Sequence, residues 1–212
     1  LGVDFLQRSD LFTLSSVNGT FGYTWKENKF VYHTLDPISI NYSKLSNVTD
    51  EFQAILDDNE YLSQSFEQRF ISGLLYSFTY DEVSDLDKET PIYFNTNFDV
   101  AGNMLSLASG GSITIFGSEY TQYAKVDADL RLYLRWKKER TLVSRLYAGW
   151  GVPYGNSSTL PFVKQIYSGG PYSIRAFDIR SLGPGNFYPG SDDDTTDYYD
   201  QSGNLKLEAN VE

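Results

Sequence analysis

The sequence contains no cysteine, one histidine and one methionine. Without cysteine there is no disulfide framework and no thiolate metal site, and the lone His33 has no partner with which to build a zinc centre. Cytosolic and bacterial envelope proteins both avoid cysteine, so the compartment stays open on that ground. Positive charge is also short. Against 28 Asp and Glu stand 17 Lys and Arg, a formal charge of -11 with no basic stripe, which excludes nucleic acid as a partner. No apolar run reaches the roughly 18 residues of a membrane-spanning helix, but a membrane β-barrel, whose strands alternate, is untouched by that absence. The chain begins at Leu1 with neither initiator methionine nor signal peptide and is expected to be a mature or internal fragment.

What is present in excess is aromatic: 17 Tyr, 14 Phe and three Trp in 212 residues, within a hydrophobic fraction of 41% that is ample for a core. The clearest periodic signal is Tyr123 to Trp136. Ala124, Val126, Ala128, Leu130, Leu132, Leu134 and Trp136 form one face, and Lys125, Asp127, Asp129, Arg131 and Arg135 with two tyrosines form the other. After a polar turn at Lys137 to Arg140 comes a partner strand, with Leu142, Leu146, Ala148 and Trp150 opposite Arg145 and Tyr147, and Ser144 a lapse on the apolar side; the pair predicts an antiparallel hairpin. The same alternation recurs in Leu11 to Trp25, Val31 to Ser43, Arg69 to Asp81, Ile92 to Val100 and from Leu205 onward. With a short strand in Gly2 to Leu6, this predicts about eight strands.

An apolar face packed on a soluble core would leave the charged face in water, as in a sandwich or lipocalin-like barrel. Length favours the alternative, because globular strands run about 5–6 residues and tilted membrane strands about 9–11. Trp25, Trp136 and Trp150 sit toward strand ends, where membrane-interface aromatics are expected. Connections alternate between short (Lys26 to Lys29, Val83 to Thr90, Lys137 to Arg140) and long (Lys44 to Gln68, Ala101 to Tyr120, Val152 to Asn204). That asymmetry belongs to outer-membrane barrels. Small helices are expected in two long loops: one capped by Thr49 and carrying Phe52, Ile55 and Leu56, and a second over Ala101 to Ala108. Because an open sheet of such strands would leave edge amides unsatisfied in lipid, the chain is expected to be part of a larger barrel.

One stretch is not explained by strand or turn chemistry. Pro161 to Gly185 places Gly169-Gly170-Pro171 and Gly183-Pro184-Gly185 around Ile174, Arg175, Ala176 and Phe177, which predicts a long loop of defined shape. Gly169-Gly170 followed by Ser173-Ile174-Arg175-Ala176-Phe177 resembles the sixth-loop motif, Val/Ile-Arg-Gly-Phe/Tyr, of the BamA and TamA superfamily of outer-membrane assembly factors. The wider wording, with FGSEYTQYAKVDADLR and HTLDPISINYSKL, is most similar to the TamL lipoproteins of Bacteroidetes.

The resemblance implies an all-β fold: residues 1–212 as a partial antiparallel transmembrane β-barrel, strands five to twelve of sixteen, with residues 153–203 as the sixth external loop folding into the lumen. The short turns then all fall on the periplasmic side. It implies a non-covalent assembly, insertion or translocation factor of a Gram-negative outer membrane, not an enzyme and with no cofactor. Outer-membrane lipid, client envelope proteins and a periplasmic partner of TamB type or accessory lipoproteins are its implied partners. In the superfamily the loop Arg pairs with an acidic residue on the interior wall. The main partner's strand is not in this chain, so lumen-facing Asp127, Asp129 and Glu208 are the candidate neighbours of Arg175, with Gly169, Gly170, Ile174, Ala176 and Phe177 completing the motif and Ile174 and Phe177 expected to pack within the loop. The sequence departs from the pattern at Ala176, where glycine is usual, and the superfamily's POTRA domains and lateral-gate strands are expected to lie outside residues 1–212.

Other residues point to less. Asp192 to Asp200 is acidic but lacks the alternating ligands and Gly of an EF-hand loop, and Asp194-Thr195-Thr196 is similar to a short Bacteroidetes O-glycosylation sequon. The mixed-sign lumen charges fit a solvated wall better than a charge-selective pore, and no catalytic constellation is present. A passive channel or receptor barrel fits the strands equally well but not the loop motif. A soluble ligand-binding β protein is the third reading.

Overall fold

Period-two alternation sets the architecture. The computed structural model, which describes residues 2–8, 11–58, 60–109, 114–115, 118–136, 140–183 and 202–212, is dominated by one eight-stranded sheet. Its elements in chain order are β1 (Gly2–Arg8), β2 (Phe12–Lys26), β3 (Val31–Ser46), α1 (Asp50–Asp58), α2 (Glu60–Phe66), β4 (Arg69–Asp81), β5 (Ile92–Ala101), α3 (Asn103–Ser109), β6 (Thr114–Ile115), β7 (Ser118–Glu119), β8 (Tyr123–Trp136), β9 (Arg140–Pro153), a 3₁₀ turn at Phe162–Lys164 and β10 (Leu205–Val211). The sheet order is β1-β2-β3-β4-β5-β8-β9-β10, antiparallel throughout, with β6 and β7 paired separately. The eight expected strands are therefore all present. Short α2 and the β6–β7 pair, which carry too few residues to show a period, were not expected from the sequence.

Five of the strands run 13–16 residues, beyond what a tilted membrane crossing requires. The β8–β9 ladder is unbroken from Tyr123↔Pro153 to Trp136↔Arg140. Pro37 lies inside β3, between two partners, where a proline would cost ladder bonds. Both ladders shift register there, at Phe21/Tyr23 and Asp36/Ser39, so Pro37 sits in an irregularity instead of a regular pair.

The buried apolar side chains do not lie between two layers. Most of them form two clusters at the end of the sheet from which the long loops leave, while Val31 is buried at the short-turn end. In the first, Phe12 and Leu14 of β2 meet Phe52 and Leu56 of α1, Phe66 of α2 and Phe162. Phe12 stacks on Phe52 at 4.7 Å and Phe66 on Phe162 at 4.2 Å. The expected Thr49 cap is formed, with Thr49 Oγ1 accepting from the Phe52 amide at 3.3 Å. In the second cluster Ile71, Ala101 and Tyr123 meet Leu160. Along the middle of the sheet, Phe21, Ile38, Phe98, Leu132, Leu134, Leu146 and Leu207 stay exposed on one face, a continuous apolar belt that a soluble protein would bury.

The opposite end of the sheet carries short turns stitched together. Arg135 at the end of β8 donates to the carbonyls of Val83 and Asp85, both at 2.7 Å, and Lys29 of the β2–β3 turn pairs with Asp85 at 3.2 Å. Buried Glu82 accepts from Lys88, from the Tyr80 hydroxyl and from the Ile92 amide. Residues 137–139 of the β8–β9 turn lie outside the described residues.

Candidate functional site

The face opposite the apolar belt is built by strand parity. On β5 it carries Asn95, Asn97 and Asp99, on β8 Lys125, Asp127, Asp129 and Arg131, on β9 Arg145 and Tyr147, and on β10 Lys206 and Glu208. The ladders place Arg131 directly opposite Arg145, a like-charge pair that would be destabilising alone. Asp129 resolves it: its carboxylate accepts from Arg131 at 2.8 Å and from Arg145 at 2.9 Å. Arg145 reaches on to Glu208 at 3.0 Å, and Lys206 closes the chain by pairing with Glu208 at 2.7 Å. Asp127 takes a hydrogen bond from Asn97 at 2.7 Å.

Onto this face folds the segment after β9. Arg145 donates to the Tyr172 carbonyl at 3.0 Å. Lys206 donates to the Tyr167 carbonyl at 3.2 Å and to the Ser173 hydroxyl at 2.8 Å, and that hydroxyl donates to Glu208 at 2.5 Å. The Gly-Gly-Pro-Tyr-Ser turn is thus gripped by charged side chains of β9 and β10. Room for the segment comes from β9 itself, where a Cβ on Gly151 would stand 2.7 Å from the Leu160 side chain. That signal was present in the sequence as glycine on the polar face of a strand.

Within the loop, Gly169 (φ 94) and Gly170 (φ 87) take backbone angles that other residues rarely adopt. The Gly170 amide bonds the Phe177 carbonyl at 2.8 Å and the Arg180 amide bonds Ser168 at 2.9 Å, so the motif sits at the tip of a closed turn. The shaped loop expected of Gly169 and Gly170 is present, although Pro184, Gly185 and the acidic and Thr residues 192–200 lie outside the described residues.

The partner of Arg175 differs from the expectation. Its guanidinium meets Glu212 at 2.9 Å, not Asp127, Asp129 or Glu208. The physical reason is prior occupancy: Asp129 and Glu208 already neutralise Arg131, Arg145 and Lys206, and Asp127 is engaged by Asn97. The Arg175–Glu212 pair is open to solvent, with side chains 69% and 54% exposed. Ile174 and Phe177 also differ from expectation, since both are exposed and do not pack within the loop, whose closure is made by backbone hydrogen bonds. Ala176 is exposed at the tip. Trp25, Trp136 and Trp150 project from the apolar face, Trp25 stacked on His33 at 4.9 Å. His33 itself bonds the Tyr76 hydroxyl at 2.8 Å through one ring nitrogen and meets the Glu27 carboxylate at 3.3 Å through the other. Among the described residues no group of three or more His, Cys, Asp or Glu could hold a metal ion.

Sequence reasoning missed Lys164, Gln165 and Arg180. Lys164 pairs with Asp99 at 2.8 Å. Gln165 is buried and bonds Ser65 at 2.7 Å. Arg180, at φ 62, is buried over the rings of Phe162 and Tyr167. Only the spacing of apolar residues at Leu160, Phe162 and Ile166 hinted that this limb enters a core.

A single antiparallel sheet with an apolar outer belt, a charged inner face and a long loop folded onto that face is a wall segment of a transmembrane β-barrel with an internal loop. A protein-family model for the Omp85 superfamily domain matches residues 2–212, and the chain belongs to that superfamily. Its members, BamA and TamA among them, are outer-membrane β-barrels of Gram-negative bacteria that insert or translocate proteins.

Proposed function

We propose that this chain forms strands five to twelve of a sixteen-stranded assembly barrel of the TamL type, which inserts or exports outer-membrane or envelope proteins without covalent chemistry. The observation that carries this reading is the loop itself. Charged residues of β9 and β10, with Asp129 of β8 backing Arg145, hold a Gly-Gly-Pro-Tyr-Ser turn against the inner face. Charge of both signs is paired along that face, which favours neither cation nor anion flow. The loop tip presents Arg175 on a carboxylate of the wall as a latch. Clients and a periplasmic partner of TamB type or accessory lipoproteins are the partners that follow from this reading.

The test is client insertion by the whole barrel. With Arg175→Ala, a cell depleted of the native protein is expected to accumulate fewer folded outer-membrane proteins, by at most about fivefold for a solvent-exposed pair worth up to about 1 kcal/mol. Unchanged client levels together with unchanged heat-modifiability of the barrel would sink the latch. Single-channel conductance with no effect of depletion on other membrane proteins would favour the channel or receptor reading.

A further inference from the structure

The loop touches the wall in two places of different character. At the tip, residues 171–179 are solvent-exposed except for half-buried Ser173. In the limb entering the loop, Leu160, Phe162, Gln165 and Ile166 are all buried. Lys164 projects from the short 3₁₀ turn onto Asp99 of β5 at 2.8 Å, and the same carboxylate accepts from the Tyr123 hydroxyl of β8 at 3.1 Å. Asp99 is 8% exposed and Tyr123 0%. Lys125 of β8 donates to the Lys164 carbonyl at 3.1 Å, so both the side chain and the backbone of Lys164 are held by the wall. From the limb leaving the tip, the Arg180 guanidinium lies 3.9 Å from the Phe162 ring and 4.7 Å from the Tyr167 ring, and donates to the Phe162 carbonyl at 3.1 Å.

We infer that the loop is seated by this base clasp, Lys164 on Asp99 and Tyr123 with Arg180 over Phe162 and Tyr167, so that the Arg175 tip can exchange partners while the loop stays in place. The inference rests on reading the segment as an internal loop of the barrel. A lysine held in a partly dehydrated site by one carboxylate loses its only anionic partner when that carboxylate is removed, whereas Arg175 and Glu212 can both return to water. Lys164 and Arg180 are therefore positioning residues: they act by holding the limb that carries the tip.

Hydrogen–deuterium exchange of the whole barrel in detergent tests this. Lys164→Met and Arg180→Met are each expected to accelerate exchange of amides in Gln165–Gly170 by about tenfold or more, with β8 and β9 unaffected. Lys164→Arg keeps the charge and should keep the protection. Arg175→Ala should leave the limb at the wild-type rate. Asp99→Asn reads the same contact from the other side if a lysine variant fails to fold, and combining it with Lys164→Met should cost no more than either change alone. A limb that stays protected in Lys164→Met, or one that Arg175→Ala frees equally, overturns the clasp. Client insertion is measured separately, so loss of insertion with the limb protected, or the reverse, distinguishes failure of the function from failure of the clasp.

Discussion

A Cβ on Gly169 would stand 2.0 Å from the carbonyl oxygen of Asp178. With its left-handed backbone, that closeness makes Gly169 the residue at which the two limbs of the loop cross. Gly169→Ala is expected to cost about 1–3 kcal/mol locally, read as faster exchange of the Gly170 amide, which bonds Phe177, while the β8–β9 ladder stays protected; wild-type exchange would refute it. This much was legible, because Gly-Gly-Pro admits few backbone shapes. The partner of Arg175 was not. Choosing among the carboxylates of the polar face depends on which other cations are already paired with them, and Arg145 occupies Asp129 and Glu208. Lys164 on Asp99, 65 residues apart, carries no local signature at all.

At the scale of elements, the turn between β4 and β5 is tied down by side-chain hydrogen bonds from Lys29, Lys88 and Arg135. The Glu82 carboxyl is held below its ordinary value of 4.5 by hydrogen bonds from Lys88 and then Tyr80, and Asp85 is held below 3.8 chiefly by Lys29. Both are lowered on folding, so their contribution is complete above the ordinary values and is lost as pH falls through the depressed ones. Protection of the Glu82 and Ile92 amides, corrected for intrinsic exchange, is therefore expected to fall as pH drops below the ordinary carboxyl range. Glu82→Gln should be less protected at pH 7 and less sensitive to acid; an unchanged pH profile would contradict this account. Strand elements were readable to within a few residues, since a period of two persists over 10 residues or more in most of them. Helix α2 was hidden: seven residues with tertiary contacts through Phe66 do not make a periodic signal.

For the whole molecule, the decisive property is which face meets what. Leu146 projects from mid-β9, paired with Leu130 and Ala209 and exposed on the apolar belt. Leu146→Arg is expected to cost about 2–4 kcal/mol of folding into lipid vesicles if it lies near the midplane. Ser144→Arg, on the same face nearer the short turns, should cost less. Equal folding of wild type and Leu146→Arg in vesicles would place that face elsewhere than in lipid.

The strands, their two-faced character, the alternation of short and long connections and the shaped loop are all legible in the amino-acid order, because each is a local pattern of side-chain size, charge and backbone freedom. Where the loop is held emerges only in three dimensions. Folding the loop back brings Lys164 to β5 and β8 and the Gly-Gly-Pro-Tyr-Ser turn to β9 and β10. Those contacts join residues far apart along the chain, and their choice of partner is settled by competition among paired charges in one shared space. Returned to the loop motif, this means that glycine spacing specifies its shape, while the wall beneath it specifies its seat.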